Sequence, residues 1–330
     1  MEFLSDVLSN AFRGAFGPEA AIYALAAVGL NLHFGYTGLL NFGQVGFMLV
    51  GAYGTAVPVL SWGLPLWAGV LIGIGCAIVL ALLLGIPTLR LRGDYLSIAT
   101  IAAGEVLRYL YRSDWAEPLT GGVFGLTQFA NGFYALNPYS GPLQLGPFNF
   151  SANALWVMTV AWAAALLAAG FVGLLVHSPW GRVLRSVRED EMAARSLGKN
   201  VFAYKMQSLV MGGVMGALAG SLLAINTQAL SPDVFMPIIT FYLWTIMILG
   251  GASRVIGPVV GSVVFWFLLT FLDSLLREFI QTGVIPSNIL DSSDMGAVRF
   301  AAVGLGLLLL MLFRPAGLLG NQKELRLDVR

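Results

Sequence analysis

The sequence predicts an all-α polytopic membrane protein, a bundle of about nine (8–10) transmembrane helices at roughly 20 residues per span. Of its 330 residues 58% are hydrophobic and 11% are charged, against about 25% charged in an ordinary soluble domain. Charge this sparse cannot cover a globular surface, so lipid must be the main solvent. The apolar runs are also long enough to span. Residues 64–89 are 26 in a row without a charge, and 154–176 and 297–313 read similarly, with Arg299 at the edge of the last. Finally, the basic residues gather in alternate connections, the pattern that orients helices in a bilayer.

Taken in order, the first 17 residues open on Glu2 and Asp6 and place Arg13 late. That is unlike the basic start of a cleavable signal, and an interfacial amphipathic helix is expected over 1–17. Spans follow near 18–35, 38–60, 64–89, 95–112, 154–176, 206–229, 236–252, 257–276 and 297–313, then a tail over 314–330. The second and sixth are glycine-rich, and each reads as a continuous helix or as a broken, re-entrant one. Arg90 and Arg92 lie between the third and fourth spans. Arg182, Arg185, Arg188, Arg195, Lys199 and Lys205 lie between the fifth and sixth. Arg254 follows the seventh span, and Arg314, Lys323, Arg326 and Arg330 follow the ninth. By contrast the 41-residue connection 113–153 holds Asp114 and Glu117 and no Lys or Arg. The basic connections are therefore assigned to the cytoplasm and 113–153 to the outside, with Arg13 and Arg277 as exceptions. The opening segment and the C-terminus are both assigned to the cytoplasm.

Forty glycines need a reason in a lipid-embedded chain. Helices in lipid approach closely only where small residues meet. Gly212, Gly216 and Gly220 share one helical face, and Gly257 and Gly261 repeat the spacing. Helix packing is the plain reading, and a bare face lining a pathway the sharper one. Glu105 and Arg108 stand at i, i+3 with Arg112 one turn on, and polar groups within spans are functional candidates by default. Mutual pairing and snorkelling explain them too. Asn31, His33, Asn41 and Gln44 cluster where the first two spans meet. They satisfy the backbone of a tight turn, or Asn41 and Gln44 line a pathway or gate.

Several classes are set aside. His33 and His177 are the only histidines and Cys76 the only cysteine, so no metal cluster or intramolecular disulfide is expected. No basic, aromatic-interleaved surface points to nucleic acid. A self-powered pump needs a phosphate-binding loop, G-x-x-x-x-G-K-[ST], and the only Gly-Lys pair, Gly198–Lys199, is followed by Asn200. No cofactor and no catalytic residue is expected. A free-standing channel or secondary carrier is the competing class; internal repeats and midplane polar sites, which secondary carriers often show, are not evident.

One short segment breaks the apolar pattern. Residues 182–198, RVLRSVREDEMAARSLG, carry four basic and three acidic residues. After Pro179, Trp180, Leu184, Val187, Ala194 and Gly198 recur at helical spacing. The run reads as one short amphipathic helix stopped at Gly198, which either docks on a partner or anchors topology. "EMAARSLG" resembles the E-A-A-x-x-x-G loop signature of ATP-binding-cassette importer permeases. Ala193, Ala194 and Gly198 fit, Met192 takes the acid position with Glu191 one residue early, and the downstream Ile-x-Leu-Pro is missing. The stretches 29–44, 89–98, 119–126, 188–198, 250–261 and 312–320 ("GLNLHFGYTGLLNFGQ", "LRLRGDYLSI", "LTGGVFGL", "REDEMAARSLG", "GGASRVIGPVVG", "LFRPAGLLG") resemble one branch, the LivM-type permeases of branched-chain amino acid importers.

The resemblance implies a multi-pass subunit of the bacterial plasma (inner) membrane. It would pair with a second permease, identical or related, and work with two cytoplasmic ATPases and an external solute-binding protein. Residues 182–198 would then be a cytoplasmic coupling helix within the loop 177–205. Ala193 and Ala194 would allow close approach, Gly198 would end the helix, and Arg188, Glu189, Asp190 and Glu191 would pair with the ATPase. Permeases for urea or short amides share the general pattern and are the alternative substrate class.

Overall fold

The computed structural model describes residues 2–90, 93–145, 148–281, 295–313 and 317–320. Arg92, Arg314, Lys323, Arg326 and Arg330, which entered the orientation reading, lie outside these. The helices are α1 (Glu2–Phe16), α2 (Pro18–Asn31) with a π-helical turn (Leu32–Tyr36), α3 (Gln44–Trp62), α4 (Leu66–Thr88) and α5 (Gly93–Arg112). The connection after α5 holds α6 (Glu117–Thr120), β1 (Leu126–Thr127), α7 (Asn131–Ala135), β2 (Leu143–Leu145) and β3 (Phe148–Phe150). Then come α8 (Ala152–His177), α9 (Pro179–Glu189), α10 (Glu191–Ser196), α11 (Val201–Thr227) and β4 (Ala229–Leu230). A 3-10 turn (Pro232–Val234), α12 (Ile238–Gly250), α13 (Gly257–Gln281) and α14 (Met295–Phe313) complete the order.

Each of the nine apolar stretches coincides with a helix. Among the described residues six helices are long and apolar enough to cross a membrane: α3, α4, α8, α11, α12 with its preceding turn, and α13. A seventh arises if α1 and α2, bent by 41°, form one span. The bend has a local cause, since Pro18 offers no N–H to the preceding turn and Gly17 is extended. The fourth stretch, α5, carries Asp94, Glu105, Arg108 and Arg112.

Burial explains the order of packing. From Ala20 to Asn31 α2 is buried on every side, as expected of a helix apolar all round. α11 packs against it and carries α3 on another face, while α8, α12 and α13 close the remaining faces of α2. α4 and α8 sit at the rim. α4 buries a small-residue stripe, Gly69, Gly73, Ala77, Ala81 and Gly85, and exposes Leu71, Val79, Leu83 and Ile86. α8 likewise buries Ala161, Ala165 and Ala169 and exposes Leu167 and Leu174. The small faces seat on the protein and the large side chains meet lipid.

The glycine-rich spans differ. The sixth is one unbroken helix, α11. In the second, residues 38–43 are not helical and α3 begins only at Gln44. Gly38, with φ +75°, makes the turn.

Two sides of the bundle can be told apart. Arg188 of α9 donates from Nη1 to Gly35 O (2.6 Å) and to Ser253 Oγ, so the far end of α2 lies on the side of the basic loop. The backbone N–H of Leu318 donates to Leu249 O at 2.8 Å, which puts 317–320 on that side too. α1 lies on the other. Arg13 stacks over Phe150 of β3 (5.8 Å), and Trp162 Nε1 donates to Phe16 O at 2.9 Å. The opening segment and the basic loop therefore lie on opposite sides of the bundle and cannot both be cytoplasmic: the chain crosses the bundle between them. Arg13 on that side remains an exception to the pattern of basic connections. α1 also packs along α13, with Val7, Ala11 and Ala15 buried and Phe12 edge-on to Phe267 at 5.1 Å.

The 113–153 connection is ordered where described. β1 pairs antiparallel with β4 (Leu126 with Leu230, Thr127 with Ala229), and β2 with β3. The "LTGGVFGL" stretch turns through three left-handed glycines, Gly121, Gly122 and Gly125. At Gly125 an added Cβ would stand 2.2 Å from Leu230 O. Tyr134 donates its hydroxyl to Ile225 O at 2.8 Å, and burial pushes its phenol upward.

Candidate functional site

The candidate residues fall into three groups at three heights in the bundle. The first is the basic loop. The single helix expected from Pro179 to Gly198 is two. α9 ends at Glu189, Asp190 is extended (φ −154°, ψ 107°), and α10 starts anew. The cause is a cap: Asp190 Oδ1 accepts from Met192 N (2.8 Å) and Ala193 N (3.0 Å), satisfying orphan donors of a new helix. Gly198 then ends α10 with φ +74°.

The break redistributes the predicted roles. Arg188 is tied inward to Gly35 and Ser253. Glu191 accepts from Lys205 Nζ and lies 3.6 Å from Arg195 Nη2. Ala194 is buried with Val187 and Val201 in a small core of its own, so it supports the loop from inside. Glu189, Asp190, Ala193 and Gly198 face outward. Beside them stand Met192 and Leu197, 69% and 77% exposed, which the sequence reading passed over. Two bare apolar side chains on a charged tip are the signal that could have found them.

The second group is the polar knot between α2 and α3, where every member is buried. Asn41 Nδ2 contacts His33 Nδ1 (3.1 Å) and donates to Gln44 Oε1 (3.1 Å). Gln44 Nε2 donates to Gly212 O at 3.0 Å, and His33 Nε2 lies 3.1 Å from Leu209 O. Asn31 Nδ2 donates to Arg254 O at 2.9 Å, while Asn31 Oδ1 accepts from Ser253 N at 3.0 Å. Irregular backbone inside a bundle needs such partners. These side chains serve the loop 37–43 and the helices around it.

The α11 glycines give the knot its room. An added Cβ would stand 2.2 Å from His33 Nε2 at Gly212, 2.6 Å from Gln44 Nε2 at Gly216 and 1.9 Å from Met48 O at Gly220. Between α12 and α13 the same test puts a Cβ 2.3 Å from Gly251 O at Gly257, and 2.0 Å from Ile246 O at Gly261.

The third group lies at the opposite end of the bundle from the basic loop. Arg108 Nη2 pairs with Glu105 Oε2 at 2.8 Å, as the i, i+3 spacing predicts. Its Nη1 pairs with Asp233 Oδ1, also at 2.8 Å. Asp233 sits in the 3-10 turn after α11, 125 residues along the chain, and sequence spacing gave no hint of it. Arg112 reaches the same carboxylate at 3.4 Å. The Arg108 side chain is 9% exposed and that of Arg112 41%. Tyr53 and Tyr111 meet close by at a tilt of 49°, ring centroids 4.8 Å apart.

Burial should separate the two arginines in their effects. Removing the carboxylate with Asp233→Ala leaves Arg108 half-paired in a desolvated place, costing about 1–3 kcal/mol. Arg112→Gln breaks an exposed pair worth about 0–1 kcal/mol. Thermal unfolding in detergent should show a clear drop for the first and almost none for the second. Equal shifts would mean that Asp233 does not hold Arg108.

The family model described as branched-chain amino acid transport system / permease component matches residues 18–312, which contain all three groups. The chain belongs to this family. It is a multi-pass membrane transport subunit and not an enzyme. The permease is 28% identical over 309 residues to LivM of Escherichia coli, a high-affinity branched-chain amino acid transport system permease protein. The match covers 90% of this chain and 68% of that protein. Against LivH, another permease protein of that name from the same organism, identity is 26% over 311 residues, 91% of each chain. A nucleoside ABC transporter permease protein of Lactococcus lactis, NupC, is 28% identical over 290 residues, 82% of the permease and 84% of the relative.

Proposed function

We propose that this chain is the membrane-spanning permease of an ATP-binding-cassette importer for branched-chain or related amino acids. The observation that carries the reading is the family match over 18–312 together with the loop tip that presents Met192, Ala193 and Leu197 to solvent. One of two ATPase subunits docks on that tip, with α10 as the coupling helix and Glu189 and Asp190 as its charged flank. Nine spans carry the chain through a bacterial inner membrane, with loop 177–205 and the tail 314–330 in the cytoplasm and loop 113–153 outside. A solute-binding protein meets the outer loop, where Trp115 and Phe124 are 84% and 90% exposed. A second permease completes the pathway; LivM and LivH, two differently named permease proteins from one organism, favour a related partner over an identical one. Asn41 and Gln44 hold the inner end of the pathway closed, and Glu105 and Arg108 with Asp233 form the outer gate.

The test uses the single cysteine. In Cys76→Ala, Ala193→Cys membranes, a thiol cross-linker at position 193 should capture an ATPase subunit, identified by mass spectrometry. A reactive thiol that captures none would remove the coupling assignment. Substrate is read separately, by uptake of leucine against a nucleoside. The NupC likeness makes a nucleoside the second reading, and urea or a short amide the third competitor to include.

A further inference from the structure

A cavity of about 380 Å³ opens on the basic-loop side, lined by Leu89, Arg90, Arg195, Val201, Phe202 and Lys205. Its three cations come from separate elements: the end of α4, α10, and the first turns of α11. Glu191 pairs with both Lys205 and Arg195, so these two cations share one carboxylate. The Arg90 guanidinium lies over the Phe202 ring at 5.9 Å. The Lys205 side chain is only 11% exposed, so a charged ammonium is held in a desolvated wall with a single acidic partner. Next to the cavity α4 presents Leu82, Leu83 and Ile86, which are 41%, 67% and 53% exposed.

We propose that this cavity binds the phosphodiester headgroup of an anionic phospholipid. Basic pockets between membrane helices on the cytoplasmic side recognise such headgroups. The wall has both halves the ligand needs: cations for the phosphate, and Leu89, Val201 and Phe202 beside it for the glycerol and upper acyl carbons. The exposed α4 face supplies the path by which a lipid, rather than a soluble anion, arrives. Because Arg195 belongs to α10, a bound headgroup ties the docking tip to the bilayer surface and to α4.

The full-length chain, purified with whatever subunits accompany it, is placed in nanodiscs of phosphatidylcholine with or without phosphatidylglycerol. Native mass spectrometry then counts the lipid retained. Phosphatidylglycerol should be kept in preference to phosphatidylcholine, and the preference should fall roughly fivefold for each cation removed, in Arg90→Gln and in Arg195→Gln. Both variants spare the Lys205–Glu191 pair. Equal retention of the two lipids overturns the proposal. Radiolabelled inorganic phosphate binding in phosphatidylcholine alone, lost in Arg90→Gln and with no lipid preference, overturns the lipid source in favour of a free anion. Cross-linking of an Arg90→Cys chain to an accompanying subunit, with no phosphatidylglycerol retained, overturns it in favour of a protein carboxylate. Lipid retention is read without transport, so its failure is distinct from failure of the importer assignment.

Discussion

Gly220→Leu is expected to yield almost no folded protein on detergent extraction. The α3 backbone lies so close to α11 there that even a Cβ would overlap Met48 O, at 1.9 Å, with its carbonyl carbon at 2.5 Å. Neither is the end of a flexible side chain, so relief requires the helices to part. Parting them also separates Gln44 from Gly212 O and Thr55 from Ser221, whose hydroxyls are 2.8 Å apart. The cost should exceed the roughly 3 kcal/mol upper range of ordinary overpacking, a large part of a typical native stability. Gly75→Leu on α4 is the control, because a Cβ there meets nothing within 4 Å. Size-exclusion chromatography after extraction should show a normal monodisperse peak for Gly75→Leu and aggregate for Gly220→Leu. A normal peak for both would mean that α3 and α11 do not touch as described.

The second large effect is on transport. Ala193→Arg should cut ATP-driven uptake at least about thirtyfold, as expected where an interface loses a residue worth roughly 2 kcal/mol or more, while membrane insertion is unchanged. The side chain faces outward, so the added bulk and charge meet a partner and not the protein's own core. Gly198→Pro should do likewise by another route. Gly198 has φ +74°, and proline is held near −65°, so the turn that ends α10 cannot form. Gly198→Ala is the discriminating control. A Cβ there has open space, so only the left-handed backbone opposes it, at about 1–2 kcal/mol, and substantial uptake should remain. Full uptake in Ala193→Arg would remove α10 from the coupling role.

Much of this protein was legible in the sequence because the physics involved is local or compositional. Lipid as solvent follows from the scarcity of charge, and each apolar stretch maps to a helix because a backbone in lipid must satisfy itself internally. The i, i+3 pairing of Glu105 with Arg108 followed from spacing alone. The family resemblance rested on short stretches that a chain reader could line up in order.

Other features needed the fold. Asp233 completes the ion triad from far along the chain, and no periodicity relates it to Arg108. The break at Asp190 turned on one side chain capping a new helix, a choice that helical spacing cannot register because both helices keep the same apolar face. The inward turn of Arg188 and the burial of Ala194 changed which loop residues are free to meet a partner. That α1 and the basic loop share a side was misread from charge, and contacts with Phe150 and Trp162 corrected it. By itself the sequence determined that this chain is a membrane helix bundle and where its helices fall, since those depend on the solvent each residue meets. Only the tertiary structure decided which polar and small residues meet one another, since contacts between distant segments depend on how the helices cross.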